Sequence, residues 1–132
     1  LFRSEAQRIV AANPGSLVFP ARDQDFGYGF GGLPATLSND EVIRAYLAAP
    51  LTLYLGTGDI TPEHSLDVSP AAMRQGPHRL ARGRACFAAA EALAKAKGWA
   101  FNWRKVETPD IDHDAKRMFA ATEVEAALFG AK

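Results

Sequence analysis

"LTLYLG", residues 51–56, is apolar on both faces of an extended chain and runs directly into Thr57-Gly58-Asp59. A strand with one wet face alternates apolar and polar residues, whereas a strand covered on both sides reads as a continuous apolar run. The stretch therefore predicts a central strand of a covered parallel sheet. Its neighbours must then supply the covering layers.

Upstream, "DEVIRAYLAA" (Asp40–Ala49) sets Val42, Ile43, Tyr46 and Leu47 on one helical face, and Pro50 stops it. Ser38 and Glu41 have the S-x-x-E spacing of a capping box. Downstream, Thr57–Pro77 is irregular apart from one predicted helical turn at Pro70, with Ser69 as its cap. From His78 to Lys97, Gly83, Cys86, Phe87, Ala90, Leu93 and Ala94 recur at helical spacing, with Arg84, Glu91 and Lys95 opposite. Gly98 ends that helix, and "FNWRKVE" (Phe101–Glu107) alternates as a strand does. Asp114 can cap "AKRMFAA", Thr122 can cap "EVEAALF", and Gly130 closes the last helix. At the front, Ile9–Ala12 is a short strand closed by Asn13-Pro14-Gly15. A long irregular stretch, Asn13–Leu37, then carries Phe19, Phe26, Tyr28 and Phe30. The order β-α-β-α-β-α predicts an α/β fold: a three-layer parallel sheet with crossover helices, residues 1–132 forming one domain or half-domain.

The totals restrict function by exclusion. Lys+Arg and Asp+Glu are 15 each, so no basic surplus points to nucleic acid. No apolar run approaches the ~20 residues of a membrane helix. Cys86 is the single cysteine, which rules out a disulfide within the chain and leaves the compartment open.

In a parallel sheet all carboxyl ends lie along one edge, and ligands of open α/β sheets bind outside it. The two long connections, Asn13–Leu37 and Thr57–Pro77, leave from that edge. So do Asp59, just past "LTLYLG", and His113 in "TPDIDHD" (Thr108–Asp114), just past "FNWRKVE". If their strands are adjacent, the backbones stand ~5 Å apart. A histidine there, oriented by a carboxylate from the neighbouring strand, is the base half of a Ser-His-Asp site.

Competing readings exist. Asp67 shares a loop with Asp59, which follows the strand more closely and is the preferred acid. Asp110, Asp112 and Asp114 serve as turn formers and a helix cap. A metal at Asp110, Asp112 and His113 is the lesser alternative: Ala115 stands where a calcium loop needs glycine, Ala121 stands where it needs glutamate, and zinc lacks a second histidine. His64 and His78 read as a loop and a helix-start residue, and Cys86 as core. Phe26, Tyr28 and Phe30 pack within their loop or line an apolar substrate pocket. No cofactor motif is present, since "GFGGLP" lacks the spacing of a nucleotide loop.

The span from Leu51 to Asp114 resembles the C-terminal portion of α/β-hydrolase-fold proteins, in particular a bacterial group related to esterases and polyester depolymerases. "GTGD" looks like the acid loop, "AMRQGPHRLARGRACF" like the helix after it, and "FNWRKVETPDIDHD" like the last strand with its histidine. The resemblance implies Asp59 as triad acid, His113 as triad base, and a small or polymeric ester as substrate. Two departures stand out. Asp112 replaces the small residue common before the histidine, and none of Ser4, Ser16, Ser38, Ser65 or Ser69 lies in a G-x-S-x-G elbow. In this fold the nucleophile precedes the acid. The expectation is therefore a C-terminal half, without a starting methionine, inactive alone and needing its N-terminal half or self-associating through bared sheet. The rival expectation is a non-catalytic binding domain of the same shape, in which Asp59 and His113 point apart.

Overall fold

The computed structural model describes residues 6–130. Three strands, β1 (Ile9–Ala12), β2 (Leu51–Gly56) and β3 (Arg104–Thr108), alternate with helices α1 (Ala35–Ser38), α2 (Asp40–Leu47), α3 (Pro70–Met73), α4 (Arg79–Lys97), α5 (Ala115–Ala120) and α6 (Val124–Phe129). The strands are parallel in the order β1-β2-β3, with Ile9 beside Leu51 and Gly56 beside Thr108. β2 is central and buried from Thr52 to Gly56.

Its alternation assigns the two layers. Leu53 and Leu55 pack with Ile43 and Leu47 of α2 and with Leu80, Cys86, Ala90 and Ala94 of α4. Tyr54, on the opposite face, packs with Met118 of α5 and Ala127 of α6. Gly83 lets α4 close on the sheet, because a Cβ there would lie 2.7 Å from the Leu55 side chain. Both faces of β2 are thereby covered. What stays open is an edge: β1 is half-buried along its length and pairs on one side only among the described residues.

Several boundaries differ from the sequence expectation. Ser38 does not cap α2. It ends α1, a short helix inside the stretch expected to be irregular, and its hydroxyl donates back to the Leu33 and Pro34 carbonyls. Asn39 caps α2 by accepting from the Val42 N–H at 2.9 Å, and the helix ends at Leu47 rather than Ala49. Phe101–Trp103 precede β3 because their polar groups turn to the end of α2. The Asn102 N–H donates to the Leu47 carbonyl, and the Trp103 ring N–H donates to the Tyr46 carbonyl. Thr122 does not cap α6; Glu123 occupies that place without a side-chain cap and accepts from the Thr108 hydroxyl. No helix among the described residues is long and apolar enough to cross a membrane.

The carboxyl ends of β2 and β3 are drawn together by backbone. The Thr57 N–H donates to the Thr108 carbonyl at 2.9 Å, and the Gly58 N–H to the Ile111 carbonyl at 3.0 Å. The Thr57 hydroxyl accepts from the Asp110 N–H. This approach requires bare glycine. A Cβ on Gly56 would fall onto the Ile111 carbonyl oxygen, and one on Gly58 would sit 3.1 Å from the Ile111 carbonyl carbon.

Two outcomes follow from this packing. Gly56→Ala should lower stability by about 1–3 kcal/mol, the usual range for overpacking, read as a lower urea midpoint; a wild-type midpoint would show the loops are not in contact. Burial pushes the Cys86 thiol up to about 12, so iodoacetamide near neutral pH should leave Cys86 unmodified in native protein and alkylate it in denaturant, as read by peptide mass mapping. Rapid native labelling would contradict the core placement.

Candidate active site

Asp59 is presented by the tight turn that ends β2. Its N–H donates to the Gly56 carbonyl at 3.1 Å, and its own carbonyl accepts from the Leu80 N–H at 3.3 Å. The turn and the start of α4 thereby hold the residue, and its side chain is only 2% exposed. His113 lies in the loop after β3, immediately before Asp114. That residue caps α5 by accepting from the Arg117 N–H. The loop is pinned from the other side by Asn13, at positive φ just past β1. Asn13 donates to the Asp112 carbonyl at 3.1 Å and accepts from the Gly56 N–H at 2.7 Å. One buried side chain thus ties all three strand ends together.

The result is a contact at 2.9 Å between His113 Nδ1 and Asp59 Oδ2. A carboxylate only accepts, so Nδ1 carries the proton and donates it. Nε2 is then the basic nitrogen, and it has no partner among the described residues. The imidazole is 43% exposed, which leaves that nitrogen accessible. It stands between two cavities. One, of about 810 Å³, is open and polar, lined by Asp59, Thr61, Glu63, Asp112 and Lys116 among others. The other, of about 100 Å³, is lined by Ala12, Ala115, Met118 and Phe119 with Asn13. Neither is lined by a serine or cysteine. Hydrogen bonding from Ser65, reinforced by Arg79, holds the Glu63 carboxyl below the usual carboxylate range.

The remaining candidates separate clearly. Asp67 is engaged elsewhere, accepting from the Tyr28 hydroxyl at 2.5 Å and from the Ser69 N–H at 2.8 Å. Tyr28 is thereby tied to the Asp67 loop; Phe30 packs edge-on against Tyr46 in the core, and Phe26 is 69% exposed. None of these three lines either cavity at His113. Asp110 sits at positive φ in the turn, and Asp112 pairs with Arg117 at 3.3 Å. No group of three or more His, Cys, Asp or Glu side chains among the described residues could hold a metal ion, so the alternative at Asp110, Asp112 and His113 finds no donor set. His78 caps α4 through Nδ1, His64 is exposed, and Cys86 is core. The non-catalytic reading expected Asp59 and His113 to point apart, and they do not.

Sequence reasoning missed Asn13, taken only as a turn former, and Arg79. Arg79 is buried behind Asp59, with its Nη1 3.8 Å from Oδ1. A helical signal for it existed, since Arg79 and Arg82 stand four residues before Gly83 and Cys86 on the buried face.

No family model and no curated protein matches the chain. Solved structures do. A poly(3-hydroxybutyrate) depolymerase, LpqC, from Bordetella parapertussis superposes with a TM-score of 0.80 at 32% identity over 95% of this chain. A poly(aspartic acid) hydrolase from Sphingomonas sp. KT-1 superposes with a TM-score of 0.75 at 35% identity over 86% of it. This chain spans 42% of the length of each. Parallel strand order, covering helices and these superpositions agree: the described residues form part of an α/β-hydrolase fold.

Proposed function

We propose that the chain supplies the acid and base of a serine-type carboxylic-ester hydrolase, with Asp59 orienting His113. The 2.9 Å contact between His113 Nδ1 and Asp59 Oδ2 carries this reading. With Nδ1–H given to Asp59, Nε2 accepts the proton of an attacking serine hydroxyl as its oxygen bonds to the ester carbonyl carbon. The imidazolium, stabilised by the adjacent carboxylate, then returns that proton to the departing alcohol oxygen. A water molecule repeats the sequence on the acyl-enzyme and regenerates the serine.

The attacking serine comes from outside residues 1–132 in this proposal. None of the chain's serines lies in a nucleophile elbow, and no serine lines the cavities at His113. The oxyanion donors belong with it. Residues 1–132 by themselves therefore turn over no ester.

The substrate class follows from likeness. Both solved neighbours are named for hydrolysis of a polymer. A polymeric ester is the substrate we favour.

The test is ester turnover by the full-length protein. His113→Gln and Asp59→Asn should leave KM for a p-nitrophenyl ester nearly unchanged. The Asp59→Asn substitution should cut kcat by about 10³–10⁴-fold, because the amide donates where a carboxylate must accept. Full activity in either folded variant would refute the assignment.

A further inference from the structure

α4 brings two arginines into the interior one turn apart, and they are used differently. Arg82, fully buried, spends its donors on carbonyls: Nε on Gly76, Nη1 on Gly15 and Nη2 on Asp67. That pattern fastens three loops and is what a structural arginine does. Arg79 is 3% exposed but is not saturated in this way. Its Nη2 meets Glu63 Oε1 at 2.7 Å and the Ser65 hydroxyl at 3.0 Å. Its Nε and Nη1 have no hydrogen-bond acceptor among the described residues. The group that Nη1 faces is Asp59, whose Oδ1 lies 3.8 Å away while Oδ2 receives the His113 proton.

Leaving donors unpaired in the interior costs free energy. Arg82 avoids this cost by giving each of its nitrogens a carbonyl. The compensation available to Arg79 is the charge it faces. Asp59 is itself 2% exposed, and a buried carboxylate is tolerated only beside opposite charge or donors. An imidazole that is to accept a proton carries no charge of its own. Arg79 is then the one fixed cation in contact range of Asp59 among the described residues.

We propose that Arg79 is a positioning residue for the Asp59–His113 pair. Its planar fork is held on the outer side by Glu63 and Ser65, and its charge attracts the near oxygen of Asp59 across 3.8 Å. The far oxygen is thereby aimed at Nδ1. This rests on the reading of Asp59 and His113 as acid and base, and it adds the part that sets their geometry. The fork also ties that geometry to the Thr57–Pro77 connection, through Glu63 at the cavity wall.

Arg79→Gln keeps polarity and much of the volume but removes the charge and the fork. Arg79→Lys keeps the charge without the fork, and one ammonium cannot serve Asp59 and Glu63 together. In the full-length protein kcat should fall in the order wild type, Arg79→Lys, Arg79→Gln, the last by about 10- to 100-fold, with KM unchanged. The downfield Nδ1–H proton resonance of His113, the signature of the bond to Asp59, should weaken in the same order. A folded Arg79→Gln or Arg79→Lys protein with wild-type kcat and an unaltered resonance would overturn the proposal. So would a loss confined to KM or to thermal stability. If Arg79→Gln does not fold, the lysine variant decides alone on the same two readouts. The resonance reports on the pair independently of turnover, so it separates failure of this proposal from failure of the acid–base assignment.

Discussion

Two loops meet over the end of the sheet because Gly56 and Gly58 place nothing between β2 and the Ile111 carbonyl. All that follows depends on this seating. The Gly58 N–H bonds to that carbonyl, Asn13 bridges Gly56 and Asp112, and the residues on either side of the contact are Asp59 and His113. Backbone hydrogen bonds within the loops and across the strand ends hold the two residues close, and the side chains complete the contact. Rigid support of this kind separates a preorganised pair from two polar residues on one rim.

Beneath that rim the interior carries more charge than its size suggests. Asp59, Arg79 and Arg82 are all buried. Two unit charges ~4 Å apart attract by about 4 kcal/mol at an effective dielectric of about 20, against about 1 kcal/mol in water. Burial therefore makes Asp59 and Arg79 mutually restrictive in a way an exposed pair such as Arg22–Asp40 is not. The same burial leaves His113 as the member of the group that meets solvent.

Much of this was legible in the sequence, for physical reasons. β2 announced itself through an apolar run that only double coverage explains, and α4 through its small-residue face. One long crossover helix, α4, runs between β2 and β3, which made neighbouring strands an open possibility; the sheet order realises it and sets Asp59 and His113 past adjacent strand ends. Less legible were features decided by competition between local partners. Ser38 and Asn39 are both good caps, and sequence spacing could not show that Ser38 would be consumed by α1. Phe101 and Trp103 alternate like a strand, yet Asn102 and Trp103 hydrogen-bond to the end of α2. Arg79 and Arg82 fall on the buried face by helical arithmetic, yet arginine is a residue type that ordinarily faces solvent. Their partners, backbone carbonyls in one case and an acid across the fold in the other, have no sequence signature.

The central claim is that the free nitrogen of His113 faces an attacking serine across the cavity edge. The most direct measurement is a crystal structure of the full-length protein after reaction with an organophosphonate ester. The account predicts a phosphonylated serine whose Oγ lies within about 3 Å of His113 Nε2, with Asp59 still on Nδ1. An adduct on a residue remote from His113, or a His113 turned away from Asp59 in the adduct, would contradict it.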